Sequence, residues 1–297
     1  MTIEDLWQQF FFHLRVKRRS KTTLVYYGCT ERVFGRFLAA EGLSADAERV
    51  TVTHLRAFLE WLHQKGLAVG GVHGHARAIR AVFNWAFREE LLARNPAARL
   101  ELPSLVKERL PTMTAAHVKT LLTTCKTFDQ PLRDAAVILT LFDTGVRSQE
   151  LLDLDTDHLL FERGLIRVMG KGSKERFVPI GAKAMQAVTV YMRRERHPSH
   201  EGVRSVFLSR SGLKLTKSGV GIKLLKVGRA SGLARSACSP HTFRRGFAVE
   251  FLRNGGDVFT LQQILGHTTL DMTRRYVSFL DEDLKAAHLR FSPGDRL

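Results

Sequence analysis

The sequence predicts a mainly α-helical protein with one small β-sheet, divided into a helical N-terminal module and a larger α+β C-terminal module. Three observations carry that prediction. Apolar residues recur at helical spacing through the first hundred positions, a proline-bracketed charged stretch follows, and two short β-rich runs then stand between further helical patterns.

The first helix is expected over Ile3 to Arg15, where Leu6, Phe10 and Leu14 repeat every four residues. A second, Thr22 to Ala40, carries Val25, Val33 and Phe37, and a third, Val52 to Gln64, follows the turn-like Ser44-Ala45-Asp46. A fourth, Val72 to Leu92, carries Ile79, Val82, Phe83 and Phe87 and is closed by Asn95-Pro96. Residues 1–103 thus read as a helical domain, 104–111 as a linker lying between Pro103 and Pro111, and 112–297 as a second domain. There, Thr112 or Thr114 can cap a helix through Leu122, and the nearly apolar Asp134 to Phe142 suits a buried helix. The runs Leu165 to Met169 and Arg176 to Ile180, joined by Gly170-Lys-Gly-Ser-Lys-Glu175, predict a hairpin.

At 297 residues, 44% hydrophobic and 25% charged, the chain is long enough for two domains and too apolar for disorder. Its longest apolar stretch, Ala135 to Phe142, falls far short of the roughly 20 residues that span a bilayer. The start, Met1-Thr2-Ile3-Glu4-Asp5, lacks the charge pattern of a secretory signal, so a cytoplasmic protein away from membranes is expected. Cys29, Cys125 and Cys238 are spaced for neither a disulfide framework nor a zinc site. The informative number is the charge: 46 Lys and Arg against 29 Asp and Glu leave +17, a field that favours a polyanion, nucleic acid ahead of membrane. Both parts share it, with +5 in residues 1–103 and +12 in the remainder, as two modules gripping one phosphate backbone would.

Unusual polar residues gather in four segments: Thr144-Gly-Val-Arg147-Ser-Gln-Glu150, Gly170-Lys171-Gly, His241-Thr-Phe-Arg244-Arg245, and Leu265-Gly-His267 followed nine residues later by Tyr276. Singly each has an ordinary explanation: a surface ion pair for Arg147 with Glu150, a solvated turn for Lys171, a helix-start histidine for His241, a packing role for Tyr276. As a set they describe phosphodiester cleavage without a metal, in which fixed cations neutralise the phosphoryl oxygens. Two guanidinium groups, Arg147 and Arg244, suit that clamp, since each stays charged and presents paired N–H donors. His241 and Arg244, three apart after Ser239-Pro240, project in similar directions, while Phe243, Phe247 and Phe251 form a separate apolar stripe. His267 and Tyr276 would lie on opposite faces of an unbroken helix, so the chain must bend between them; Thr268 to Asp271 has the spacing of a capping box.

The order of these segments, with 24 residues from Arg147 to Lys171 and 26 from His241 to His267, resembles the tyrosine recombinase (phage integrase) family over nearly the whole chain. The N-terminal module is similar to that family's core-binding, SAM-like domain, and the length and Gly-Lys-Gly-Ser-Lys-Glu-Arg segment resemble the Xer-type and transposon-borne branches. The resemblance implies a site-specific enzyme that cleaves and rejoins double-stranded DNA through a 3′-phosphotyrosine, in integration, excision or dimer resolution, with no cofactor and no metal. It gives Tyr276 the role of nucleophile, Lys171 that of general acid with Lys174 as alternative, Arg147, Arg244 and His267 the handling of the phosphate, and His241 either proton movement or phosphate binding. Glu150 would orient Arg147. Lys174 and Arg245 would contact DNA, Arg245 alternatively being structural. It further implies four protomers on two duplexes, as one protein or a recombinase pair, with Asp281 to Phe291, through Leu284 and Leu289, exchanged between neighbours. The chain departs from the Xer pattern at Arg245-Gly246, Val277-Ser278-Phe279 and its tail, so mobile-element integration competes with chromosome-dimer resolution. A type IB topoisomerase-like nicking enzyme and a DNA-binding protein without catalysis are the other classes that fit the charge.

Overall fold

Side chains that accept from otherwise unpaired backbone amides set most helix starts. In the computed structural model, which describes residues 1–105, 111–170, 175–277, 288–289 and 292–296, Thr2 caps α1 (Ile3–Val16), Ser20 caps α2 (Lys21–Ala40) and Thr51 caps α3 (Val52–Gln64). The fourth helix, α4 (Val69–Arg88), starts three residues before the expected Val72, without a side-chain cap and with Gly70 and Gly71 in its first turn. It stops short of Leu92 because Glu90 adopts φ 58° and turns the chain.

Two compact units result, Met1–Glu108 and Arg109–Leu297. In the first, the helices pack their apolar stripes around an aromatic core containing Trp7, Phe34, Phe37, Phe58 and Phe83, with the Phe34 and Phe58 rings edge to face at 5.0 Å. Val25 and Phe87, expected on the apolar faces of α2 and α4, are instead exposed.

The second unit runs α5 (Ala115–Cys125), α6 (Pro131–Thr144), α7 (Ser148–Leu152), β1 (Leu159–Leu160), β2 (Leu165–Met169), β3 (Glu175–Pro179), α8 (Ala182–Arg194), α9 (Lys217–Ala230), α10 (Pro240–Arg253), α11 (Val258–Leu265) and α12 (Leu270–Val277). Of the two threonines, Thr114 provides the α5 cap. The hairpin is antiparallel, with Leu165 opposite Pro179 and Met169 opposite Glu175, and β1 adds on the far side of β2. Ile166, Val168 and Val178 bury one sheet face in the core with Ile138 and Leu141 of α6, Tyr191 of α8 and Phe243 of α10. A smaller cluster, Ala248, Leu252, Leu261 and Leu265, joins α10 to α11, with Phe247, Phe251 and Tyr276 packed against it. Among the described residues no helix is long and apolar enough to cross a membrane.

The turn that closes α6 directs the chain into α7. Gly145 takes the left-handed conformation there, φ 61°, and its α-carbon lies so close to α10 and α11 that a Cβ would overlap the Phe247 ring and stand 2.9 Å from Leu265 Cδ2. Gly145→Ala therefore combines left-handed strain of about 1–2 kcal/mol with overpacking. The melting temperature of the second unit should fall by about 5 °C or more, read by far-UV circular dichroism; an unchanged transition would refute this account of the turn.

Candidate active site

Arg147 lies just outside α7, as its N-cap residue with extended backbone, and Glu150 occupies the third position of the helix. The Glu150 carboxylate reaches back, accepting from the Arg147 backbone N–H through Oε2 and from the Arg147 Nη1 through Oε1, both at 2.8 Å. A residue that sequence reasoning did not assign completes the group. Arg176 of β3 donates through Nη1 to Oε1 and through Nη2 to Oε2, again at 2.8 Å, so one buried carboxylate lies between two guanidinium groups. Burial alone would raise the Glu150 pKa; the bonds from Arg176 and Arg147 override it and hold the carboxyl at about 2. The available clue to Arg176 was strand alternation, which puts it on the same side as the core residue Val178 and so turns a charge inward.

The guanidinium groups converge on the carboxyl end of α11. Gly266, at φ 63°, ends that helix, and the amides of Gly266 and His267 fold back onto the carbonyls of Gln263 and Gln262. Three successive carbonyls then accept from arginine: Ile264 from Arg176 Nε at 3.1 Å, Leu265 from Arg244 Nη2 at 2.8 Å and Arg147 Nη1 at 3.4 Å, and Gly266 from Arg147 Nη2 at 3.3 Å. Arg244, 5% exposed, also donates through Nη1 to the Gly145 carbonyl at 2.7 Å, bridging the ends of α6 and α11. Helix C-termini carry unpaired acceptors and partial negative charge, which suits three cations in one place. Burial, followed by Arg147, lowers the Arg244 pKa to about 10, which leaves it charged at neutral pH.

His267 comes directly after the helix break. Its Nδ1 lies 2.8 Å from the buried Thr273 hydroxyl, and burial, then Arg244, Arg147 and Arg176, lowers its pKa to about 4. The bend required between His267 and Tyr276 is present: α12 starts at Leu270, and the two rings are stacked, 6.1 Å between centroids and 19° between planes. That start makes Thr269, not Thr268, the residue preceding the helix; Thr268 Oγ1 instead faces Met272 Sδ at 4.0 Å. The Tyr276 phenol is near enough to act electrostatically on Arg244 and Arg245. His241 is the second residue of α10, after the Ser239 cap and Pro240. Partial desolvation, then Arg245, Lys217, Arg244 and Arg147, lowers its pKa; Lys217, which opens α9, is a cation near this histidine that the motif spacing did not reveal.

Arg245 directs Nε and Nη2 to the Pro111 carbonyl at 3.0 and 2.9 Å, with Nη2 also 3.2 Å from Thr242 Oγ1. Lys171 and Lys174 lie outside the described residues, as does Asp281 to Phe291 apart from His288 and the exposed Leu289. The structure thus brings together Arg147, Glu150, Arg244, His241, His267 and Tyr276, and adds Arg176.

A helical unit followed by an α+β unit that gathers paired arginines, histidines and a tyrosine at helix ends defines the tyrosine-recombinase class. The chain belongs to the phage integrase family: residues 111–282 match the family model described as "Phage integrase family" and residues 5–102 the one described as "Phage integrase SAM-like domain". It is similar to tyrosine recombinase XerD of Halalkalibacterium halodurans, 28% identical over 98% of this chain and 99% of that protein. It is likewise similar to tyrosine recombinase XerC of Oceanobacillus iheyensis, 31% identical over 93% and 92%. The fold matches the Tn1549 transposon integrase solved with circular-intermediate DNA, with a TM-score of 0.77 at 19% identity over 93% of this chain and 95% of that one.

The Glu150 carboxyl gives a signed stability prediction. Its folded pKa, about 2, lies below the ordinary 4.5, so the stability it contributes is present above pH 4.5 and is lost as pH falls toward 2. Glu150→Gln should lower the stability of the second unit at pH 7 by on the order of 3 kcal/mol, the deficit shrinking as acid is added below pH 4.5. Urea unfolding followed by circular dichroism sums both helical units, while fluorescence of Trp7, Trp61 and Trp85, all in the first, isolates that unit's transition, so the remaining dichroism change belongs to the second. A deficit independent of pH would contradict the assignment.

Proposed function

We propose that this chain is a site-specific recombinase that cuts and rejoins double-stranded DNA through Tyr276. The phenol oxygen attacks the phosphorus of the scissile phosphodiester; the bond to the 5′ oxygen breaks, and the 3′ phosphate remains esterified to the tyrosine. A freed 5′ hydroxyl from a partner strand then attacks that ester and releases the enzyme, so bond energy is conserved without nucleotide or metal. Arg147 and Arg244 hold the two nonbridging oxygens, the charge each supplies counting most as the phosphoryl group passes through its transition state. His267, neutral above about pH 4, donates a hydrogen bond to one of them, and His241, at the start of α10, takes the phenol proton as Tyr276 attacks. Lys171 protonates the departing 5′ oxygen, with Lys174 as the alternative donor, and Glu150 aims Arg147. Arg245 fastens the start of the second unit and meets the DNA backbone only secondarily. Reaction at two duplexes calls for four protomers, identical or paired, with residues 281–291 exchanged between neighbours. Residues 1–103 supply the core-binding grip, 104–111 the link and 112–297 the chemistry, in the cytoplasm.

The observation that supports this reading best is the meeting of Arg147 and Arg244 on the carbonyls before His267, with the Tyr276 ring stacked on that histidine. Incubation of the protein with a library of nicked duplexes of random sequence should trap a covalent adduct, and sequencing the trapped DNA defines the substrate. Tyr276→Phe should abolish the adduct while retaining DNA binding, and Arg147→Ala or Arg244→Ala should slow its formation by about a hundred- to a thousandfold. An adduct through another residue would overturn the assignment, as would near-normal cleavage by either arginine variant. Products joined across two duplexes separate recombination from topoisomerase-like nicking and resealing.

A further inference from the structure

We propose that Arg176 is a positioning residue for cleavage: it occupies Glu150 so that this carboxylate aims Arg147 without neutralising it, and it fastens the carbonyl end of α11 from which His267 emerges. The proposal rests on the roles given above to Arg147 and His267.

Four donors surround the Glu150 carboxylate, two from the Arg176 guanidinium, one from the Arg147 guanidinium and one from the Arg147 backbone, which fills its usual acceptor positions. The distribution is unequal. Arg176 makes the parallel, two-bond pairing, the strong geometry for guanidinium and carboxylate, whereas the Arg147 side chain touches the carboxylate through Nη1 alone. Exposure runs in the same order: 3% for the Glu150 side chain, 16% for Arg176 and 36% for Arg147. Glu150 is thus balanced chiefly by the inner arginine, and the outer one keeps its charge for an incoming anion. Without Arg176 the carboxylate would have one guanidinium partner, would turn both oxygens to it, and would cancel half of the proposed clamp.

The same guanidinium does a second job. Its Nε donates to the Ile264 carbonyl, and it lies against Gly266, where an added Cβ would stand 3.0 Å from that Nε and 3.1 Å from Cζ. Arg176 thereby ties β3 at once to α7 and to the end of α11. A lysine can carry the charge but cannot make these three bonds in one plane.

A purely structural role would lower stability and reduce every property of the folded enzyme in proportion; a positioning role predicts more. On the duplex trapped by wild-type protein, Arg176→Gln should form the Tyr276 adduct about ten- to a hundredfold more slowly at saturating protein, with the half-saturating concentration little changed. Its cleavage should also fall off in acid at a higher pH than wild type, because Glu150 loses its main stabilising partner and burial then raises its pKa. Arg176→Lys, which preserves charge, should recover part of the rate and show the same direction of pH shift, so the readout survives if the glutamine variant does not fold. In a Glu150→Gln background, Arg176→Gln should slow cleavage by a clearly smaller factor, since the part of the effect that passes through that carboxylate is already lost and only the tether to Ile264 remains. Wild-type rate and pH profile in both Arg176 variants would overturn the proposal, as would a rate loss of the same factor with Glu150 absent. A wild-type protein that forms no Tyr276 adduct would overturn the functional reading and this proposal with it, whereas failure confined to the variants overturns only the proposal.

Discussion

Three consecutive carbonyls at the end of one eight-residue helix organise the second unit's chemistry. Ile264 accepts from Arg176 of β3, Leu265 from Arg244 of α10 and more distantly from Arg147, and Gly266 from Arg147, the N-cap of α7. A helix terminus leaves such acceptors unpaired, and burying them without partners would cost free energy. Guanidinium groups, with several fixed donors each, satisfy them and are attracted by the partial negative charge there. Glu150 supplies the full negative charge that lets Arg147 and Arg176 approach one another. The arrangement therefore solves two problems at once, carbonyls left unpaired beyond the helix cap and cations crowded together.

Glycine at two helix ends makes the approach possible. Gly145 and Gly266 both take left-handed conformations at the close of α6 and α11, and Arg244 spans from the Gly145 carbonyl to that of Leu265. Because these are backbone contacts, the guanidinium is located by the positions of whole helices more than by any single neighbour. The core that packs α6 against α10, and the smaller cluster joining α10 to α11, thus determine the spacing of charges several residues away. A core substitution that tilts α11 would be felt first in the arginines.

Much of this could be read from the amino-acid pattern. Helices with strong stripes and polar caps, such as α3, emerged with their termini intact, and the β2 strand matched its apolar run residue for residue. The two-residue β1 has too little pattern to detect, and α4 was misplaced at both ends because its start lacks a cap and its stop uses Glu90 in a conformation normally given to glycine. At the candidate site, motif spacing found the side chains but not how they are held. The three-residue spacing of Arg147 and Glu150 did not show that Arg147 caps α7. Arg176 went unassigned because its partners, Glu150 and Ile264, are 26 and 88 residues away in sequence, a separation that only tertiary structure closes.

The electrostatic balance has a direction. Three guanidinium groups face one carboxylate, and the depressed pKa values of Arg244, His267 and His241 register the resulting repulsion together with burial. A folded protein that keeps cations close in this way has already met the cost of assembling them. On the proposed reading, a phosphodiester entering beside Arg147 relieves that repulsion, and reciprocity requires the same anion to raise the pKa of His267 and His241. Binding and proton affinity are then linked: the histidines enter neutral, as hydrogen-bond donors, and become better proton acceptors as negative charge grows on the phosphoryl oxygens. A nest of uniformly exposed cations would lack this response, because solvent would screen both the repulsion and its relief.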